Sequence, residues 1–555
     1  MTEFDVIIAG GGPSGLILAS ELGQRGISCL LLDMKPSTAF NPQANATQAR
    51  TMEHYRRLGF AHEIRALGLP SDHPTDIAYF TRLSQHELAR LSLPTAAQAV
   101  KNIKTMKGSW SAAELPHRVS QKFVETVLKK HAAQHPSNDI RFNWKVLGFE
   151  QHEDHVVVKA SALGENSDSS TVSFKCKYLI GADGPRSNVR HQLGISYTGE
   201  TGVKRSYMGG EMFAVYLRSS EIYKHIPHPR AWMYVTVNNE RRCFLASVDG
   251  QEQFAFHSAL HEGESAENWG LEEVKMRLKE LMGCDVPFEV LSMQSWIAGH
   301  SLVAEHFSKG RVFLMGDAAH LFTPTGGLGY NTAVEDAVNL GWKLSHVLKG
   351  IATPSLLESY ELERRPLAIR NTAYAKQFAD SVGLFPVSDD FELDTPKAIE
   401  ERARASVHFN AHVRLEFNIP GVTFGGRYDD SPIIVKDGTQ APVDQANHYE
   451  PSACPGGRPP HLWLDDETSL FDAFGSEWTL LCTEEIAPDF TSWKNVAQVL
   501  GLKLEYLHLP RPALRELYIE PLTLIRPDQI VGWRGTSMDE SQITSIFKKL
   551  LGLAL

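Results

Sequence analysis

At 555 residues the chain is too long for one hydrophobic core, so two or three domains are expected, and its 42% hydrophobic fraction is that of a folded globular protein. A formal net charge of −11 argues against nucleic acid or an anionic membrane as the main partner and leaves a small neutral or anionic ligand. Six scattered cysteines without CxxC or metal spacing, no apolar run near the roughly 20 residues of a membrane span, and no signal-peptide features at the start give a cytoplasmic reading without disulfides or metal.

The first elements form one recognisable unit. Residues 4–9 (FDVIIA) read as a strand, Gly10, Gly12 and Gly15 complete GxGxxG, and Pro13 and Ser14 open a helix with Leu18, Ala19 and Leu22 on one side. A second strand, 29–32, ends at Asp33, about 20 residues past the loop, where a carboxylate reaches a ribose hydroxyl. A lone GxGxxG is weak; strand, loop, helix, strand and acid in order predict dinucleotide binding, with pyrophosphate at the helix N-terminus.

Segments 78–81, 212–217, 232–237 and 243–248 are rich in β-branched and aromatic residues with turn signals such as Asn238-Asn239 between them, and predict a mixed or antiparallel sheet. Between them, 178–190 (YLIGADGPRSNVR) is a strand ending in Asp183-Gly184 and a basic turn. The most information-rich stretch is 310–344. There a short strand, 311–315, stops at Gly316-Asp317, and Pro324 leads a glycine loop through Gly327 and Gly329 to Tyr330 and Asn331. A helix with Ala333, Val334, Ala337, Leu340 and Leu344 at helical spacing follows, its N-terminus expected near Asn331. Beyond it the helical pattern breaks over 383–397, resumes over 400–414, and changes composition from about 421. Strands at 478–482 and 502–507, a hairpin over 522–533 and a helix over 540–551 close the chain.

These three strand-and-loop units, in this order, resemble the single-component FAD aromatic hydroxylases of the para-hydroxybenzoate hydroxylase and phenol hydroxylase class. RTME at Arg50, HRVSQ over 117–121 and LESYELERRP over 357–366 extend the resemblance over roughly the first 370 residues. The tail resembles the thioredoxin-like domain of phenol and polyketide hydroxylases, although it lacks CxxC and Cys482 on its strand has no second thiol beside it in sequence, so the tail reads as structural or as an oligomer contact.

The resemblance implies an α/β chain. A Rossmann-like, glutathione reductase-type FAD domain (1–75, 100–190 and 290–385) would carry an inserted mixed or antiparallel substrate sheet (76–99 and 191–289), a helical linker (386–420) and a thioredoxin-like domain (421–555). It further implies that NADPH or NADH reduces FAD and that a flavin C4a-hydroperoxide passes oxygen to a phenolic ring, with a homodimer left open. Carried over by position, Gly10, Gly12, Pro13, Ser14, Gly15, Asp33, Met34 and Lys35 serve the AMP side, and Arg50, Arg118 and Gln121 the pyrophosphate or ribityl chain. Asp183 and Gly184 serve FAD and the nicotinamide donor, while Gly316, Asp317, Pro324, Gly327, Gly329, Tyr330 and Asn331 hold the flavin half. Lys35, Arg186 and Arg190 are candidates for the donor's phosphates, and Tyr79, Met233, Tyr234 and Phe256 for a substrate wall. Tyr79, Tyr234, His300 and Pro324 are candidates for facing the ring.

One departure is visible. Many members of the family it resembles carry an arginine before the RTME helix, whereas this chain reads Pro42-Gln43-Ala44-Asn45-Ala46. Two other readings stand beside the hydroxylase: a flavin-dependent halogenase, whose WxWxIP segment is met only by Trp110, and a flavin-binding redox sensor or scaffold without turnover.

Overall fold

The computed structural model describes residues 1–164, 171–203, 205, 207–465, 467–536 and 538–553. Its first layer is a parallel sheet in which Val312–Leu314, Val172–Gly181, Thr2–Ala9, Cys29–Asp33 and Asn138–Phe142 lie side by side. Val6 to Ala9 and Cys29 to Leu32 are buried on both faces, which is why these strands read as unbroken apolar runs rather than alternating ones. An antiparallel meander, Trp144–Gln151 and Val156–Ala162, extends the amino-terminal part of Val172–Gly181. All carboxyl ends of the parallel strands point to one edge, where a ligand site forms in such sheets.

A second sheet has seven strands, in the order Glu289–Ala298, Gly210–Arg218, Gln253–Ala259, Cys243–Ser247, Met233–Thr236, Ile77–Phe80 and Glu87–Leu91. Only the Met233–Thr236 and Ile77–Phe80 pair is parallel, so the sheet is mixed. Strict alternation sends Tyr79, Tyr216, Val235 and Phe244 to an inner face and Phe80, Val215, Tyr234 and Phe256 to an outer face under the helix Leu271–Met282. Strand Glu289–Ala298 pairs with Gly210–Arg218, so the expected return to the FAD domain at 290 is displaced to about residue 299. The helix Pro396–Phe417 is longer than the pattern over 400–414 suggested, and it lies across the inner face, with Phe409 stacked on Tyr79 at 5.1 Å.

The carboxyl-terminal sheet runs Leu504–His508, Trp478–Cys482, Leu522–Ile525 and Val531–Gly535. The first pair is parallel and the others antiparallel, which with helices after the first, second and last strands is a thioredoxin topology. Its core is not separate. Trp478, Trp493 and Phe547 share a cluster with Trp342 and Leu356 of the FAD-side helices, and the Trp478 indole N–H donates to His346 Nε2 at 3.0 Å. Burial holds His346 down to about 3, so the imidazole is neutral and free to accept. Among the described residues no helix is long and apolar enough to cross a membrane.

Candidate active site

Strand Thr2–Ala9 turns at Gly10, whose φ of +115° favours glycine. A Cβ at Gly10 would collide with the Ala182 carbonyl, and one at Gly15 with the Gly10 carbonyl, so these two glycines permit a tight turn and close helix–strand packing. Gly12 differs: it has φ −75°, and a Cβ there would meet nothing within 4 Å. Open space beside Gly12, ahead of the helix Pro13–Gln24 that begins with no side-chain cap, is a cradle for pyrophosphate. Asp33 closes the cradle, its carboxylate accepting from Gly11 N–H at 2.6 Å and Lys35 N–H at 2.7 Å. Met34 and Lys35 are exposed beyond it.

The second loop meets the first. Gly316 lies so close that a Cβ there would sit 3.0 Å from Ser14 Oγ, so strand Val312–Leu314 delivers its acidic turn against the start of the first helix. That turn is fixed from behind. Asp336 accepts from Gly316 N–H at 3.2 Å, pairs with His320 Nε2 at 2.7 Å and accepts from Arg364 Nε at 2.8 Å, all buried. Arg190 donates to the Ala318 carbonyl at 3.3 Å and the Tyr197 hydroxyl donates to the Asp317 carbonyl. With its backbone engaged, Asp317 directs a carboxylate with no hydrogen-bond or ion-pair partner among the described residues into the cleft. The group is open to water yet ringed by protein, and burial raises its pKa.

The loop over 324–331 is braced on its inner side. Gln48 Nε2 donates to the Gly326 carbonyl at 2.8 Å, Gly326 N–H donates to Glu416 Oε1 at 3.0 Å, and the Thr325 hydroxyl donates to the Ala375 carbonyl at 2.5 Å. Asn331 accepts from Gln48 N–H at 2.8 Å and donates to the Ala46 and Gly327 carbonyls at 3.0 and 2.6 Å. The helix Leu328–Leu348, starting three residues before the expected point, has left-handed Gly327 as its uncapped N-cap. Its first amides therefore face outward with the positive end of the helix dipole, suited to a ligand edge that gains negative charge. Two uncapped helix starts, joined where Gly316 meets Ser14 and flanked by Asp33 and Asp317, fit an extended dinucleotide with pyrophosphate at one end and a polyol beside Asp317.

Comparison with known proteins agrees. A family model described as FAD binding domain matches residues 3–375, and one described as aromatic-ring hydroxylase, C-terminal, matches residues 452–554. The chain belongs to the FAD-dependent aromatic-ring hydroxylases. Similar proteins include 2,4-dichlorophenol 6-monooxygenase of Delftia acidovorans, 29% identical over 99% of this chain and 98% of that one, and phenol 2-monooxygenase of a Pseudomonas species, 28% identical over 100% and 93%. Among solved structures, RebC soaked with chromopyrrolic acid and holding 7-carboxy-K252c is 30% identical, with a TM-score of 0.88 and 99% of both chains covered. Aklavinone-11 hydroxylase with FAD and aklavinone is 26% identical, with a TM-score of 0.82 over 99% of each chain.

Several residues singled out in the hydroxylase's sequence lie elsewhere than expected. Arg50 is buried and committed to the carboxyl-terminal hairpin, donating to the Asp528 and Gln529 carbonyls at 3.1 Å each and to Glu53 at 3.0 Å. Gln121 spends its amide on Glu125 at 2.6 Å, and its backbone N–H holds the Ala44 carbonyl at 2.7 Å. Arg190 is buried against Tyr197 and unavailable to a donor phosphate. Asp183 accepts from Val189 N–H at 3.1 Å and has its other oxygen unpartnered, with Gly184 at φ +83° beside it. Tyr330 points its hydroxyl inward to Tyr55.

Of the ring-facing candidates, Tyr234 lies on the outer face of the second sheet, its hydroxyl accepting from Ala231 N–H at 2.8 Å, and Phe256 joins it there. Both are core, because their register is odd with respect to the inner residues. Tyr79 and Met233 are on the inner face, but Tyr79 is covered by Phe409 and His412. His300 and Pro324 do border the flavin loop: the Thr323 hydroxyl donates to the His300 carbonyl at 3.1 Å, His300 Nδ1 pairs with Thr201 at 2.8 Å, and Pro324 is exposed. Of the bracing residues, Gln48 and Glu416 fell in no motif, whereas Asp336 lies in the 310–344 stretch and Arg364 in LESYELERRP without either having been singled out. Only an acid and an arginine on otherwise apolar helical faces marked Asp336 and Arg364.

Proposed function

We propose that the hydroxylase inserts one oxygen atom of O2 into a phenolic or related aromatic ring, with NADPH or NADH as electron donor. The free Asp317 carboxylate beside two uncapped helix starts is the observation that carries this reading. FAD bound there would supply the electron transfer and oxygen activation. Gly12 and Ser14 would hold its pyrophosphate, Asp33 its ribose, and Asp317 its polyol chain, the last by a charge-assisted bond contributing about 1.5–3 kcal/mol. The amides opening the helix Leu328–Leu348 would support negative charge on the reduced ring.

The ring to be oxygenated would lie between the inner face of the second sheet and Pro324, with His300 at the rim. Phe244, stacked on His257 at 4.2 Å, and Trp296, whose indole N–H donates to His257 Nδ1 at 3.3 Å, make that face flat and dry. Burial holds His257 down to about 3, so it stays neutral and adds no charge. Lys35 and Arg186, both exposed near the strand ends, would meet the donor phosphates. The named substrates of the relatives, phenols and polycyclic aklavinone, support an electron-rich ring. The same reading places the enzyme in the cytoplasm, where its six free thiols stay reduced.

The test is direct. The FAD-loaded protein is given NADPH or NADH under 18O2 with a panel of phenols and polycyclic phenols. Ring-accelerated donor oxidation and one 18O in the product are expected; donor oxidation that no ring accelerates, with peroxide as sole product, defeats the reading.

A further inference from the structure

Residues 45–48 and 117–121 run antiparallel, with Thr47 and His117 bridged by hydrogen bonds of 2.9 and 2.8 Å. Side chains alternate across such a bridge, so Ala46, Gln48 and Arg118 share the face opposite Thr47 and His117. Ala46 and Gln48 show where that face points. A Cβ at Gly327 would lie 3.0 Å from the Ala46 methyl, and Gln48 holds the Gly326 carbonyl. Arg118 is therefore aimed at the junction of flavin loop, substrate sheet and the helix Pro396–Phe417. Its guanidinium lies 4.6 Å over Trp232 of the sheet side and 5.8 Å from Phe417 of the helix.

This cation has no counter-ion. Arg118 is 6% exposed, its Nη1 is buried with no hydrogen-bond partner, and no carboxylate lies within ion-pair distance among the described residues. Glu416, the acid whose charge reaches it, lies beyond ion-pair distance and accepts from Gly326 N–H at 3.0 Å. Burial pushes the Arg118 pKa down to about 10, with Glu416 offsetting only part of the effect. A buried, unpaired guanidinium is costly unless an anion completes it, and its planar fork suits a carboxylate or phenolate oxygen. Trp232 and Phe417 set two aromatic rings against the charge.

We infer that Arg118, which the family resemblance assigns to the cofactor, instead forms a subsite for the anionic oxygen of an aromatic substrate, a ring carboxylate or a phenolate, at the junction of flavin loop, substrate sheet and the helix Pro396–Phe417. The inference rests on the cleft being an aromatic hydroxylase site.

Equilibrium binding to the FAD-loaded protein tests it without turnover, read from the flavin absorbance change and by calorimetry. The probes are 4-hydroxybenzoate against 4-methylphenol, 1-hydroxy-2-naphthoate against 1-naphthol, and 4-nitrophenol on either side of its ionisation. Wild type is expected to prefer the anion of each pair, and Arg118→Met to lose about 10- to 100-fold on anions but less than about 3-fold on the neutral rings. Arg118→Lys, which keeps charge and loses the fork, should recover part of the preference and guards against a folding defect in the first variant. Loss on carboxylates alone assigns the subsite to a carboxylate, and loss on ionised nitrophenol to a phenolate; either supports the inference. An unchanged anion preference in Arg118→Met, no preference in wild type, or folded variants that purify without FAD each overturn it. Should anion preference depend on Arg118 while no 18O enters any product, the subsite stands and the hydroxylase reading falls.

Discussion

Glu416 accepts a hydrogen bond from Gly326 N–H at 3.0 Å, so the last turn of the helix Pro396–Phe417 grips the flavin loop while Phe409, two turns earlier, stacks on Tyr79 of the substrate sheet. One rigid element thus sets the spacing between the two surfaces that must enclose the ring. Glu416→Ala leaves the Gly326 amide unsatisfied, at a cost of about 1.5–3 kcal/mol, and frees the loop. The expected outcome is about three- to tenfold more peroxide per donor oxidised with FAD content nearly unchanged. Glu416→Gln, which keeps an acceptor oxygen, should stay close to wild type. Equal coupling in the alanine variant would remove the brace from the mechanism.

The fingerprint glycines separate folding from binding. A Cβ at Gly15 collides with the Gly10 carbonyl, so Gly15→Ala is expected to lower the thermal midpoint of the apoprotein. Gly12→Ala puts a methyl into open space at an ordinary φ and should leave that midpoint within about a degree while FAD affinity falls at least tenfold. Melting curves with and without FAD distinguish the two, and equal behaviour of both variants would contradict these roles.

How much of this was legible in the chain depended on whether a residue's role was local. The parallel strands and the glycine loops were readable, since burial on both faces and tight turns restrict residue choice within a few positions. The inner and outer faces of the second sheet were not, because a one-residue uncertainty in register exchanges Tyr79 with Tyr234. Nor was Arg50, whose partners Asp528 and Gln529 lie more than 470 positions away, or Glu416, which meets Gly326 only after the helix has crossed the sheet. Arg118 sat within a recognisable motif, yet its missing counter-ion is a property of packing alone.

The carboxyl-terminal domain is tied to the cofactor cleft through buried charge. Arg526 donates to both Glu363 oxygens at 2.6 and 2.9 Å, and Glu363 also holds Lys343 at 2.6 Å and Asn339 at 2.7 Å. The next residue, Arg364, holds Asp336, which holds Gly316. Arg526→Leu leaves Glu363 only Lys343 as a counter-charge and takes the buried Asp528 out of its ion pair, and should destabilise the protein by about 3–5 kcal/mol. FAD release, followed by its fluorescence, should shift to lower temperature together with loss of circular dichroism from the whole chain. Melting of the tail alone, with FAD retained, would show the two units to be uncoupled.

Glu53 gives the fold an acid limit. Its buried carboxylate accepts from Arg458 Nε and Nη2 at 3.0 and 2.6 Å, from Arg50 at 3.0 Å and from Ala113 N–H at 3.0 Å. Burial alone would raise its pKa, but the Arg458 charge and hydrogen bond, with Arg50 adding to them, outweigh it and hold the group down to about 2, against 4.5 for the free side chain. Because the folded value is the lower, the stabilisation is complete above pH 4.5, on the order of 3 kcal/mol, and is lost as the pH falls from 4.5 towards 2 and the unfolded chain takes up the proton first. Glu53→Gln is less stable at pH 7, since Arg458 stays buried without its anion, but has no carboxylate left to protonate. Urea midpoints at pH 7, 5, 4 and 3 should therefore converge for wild type and variant as the pH drops. Parallel curves would mean that other carboxylates, and not Glu53, set the acid limit.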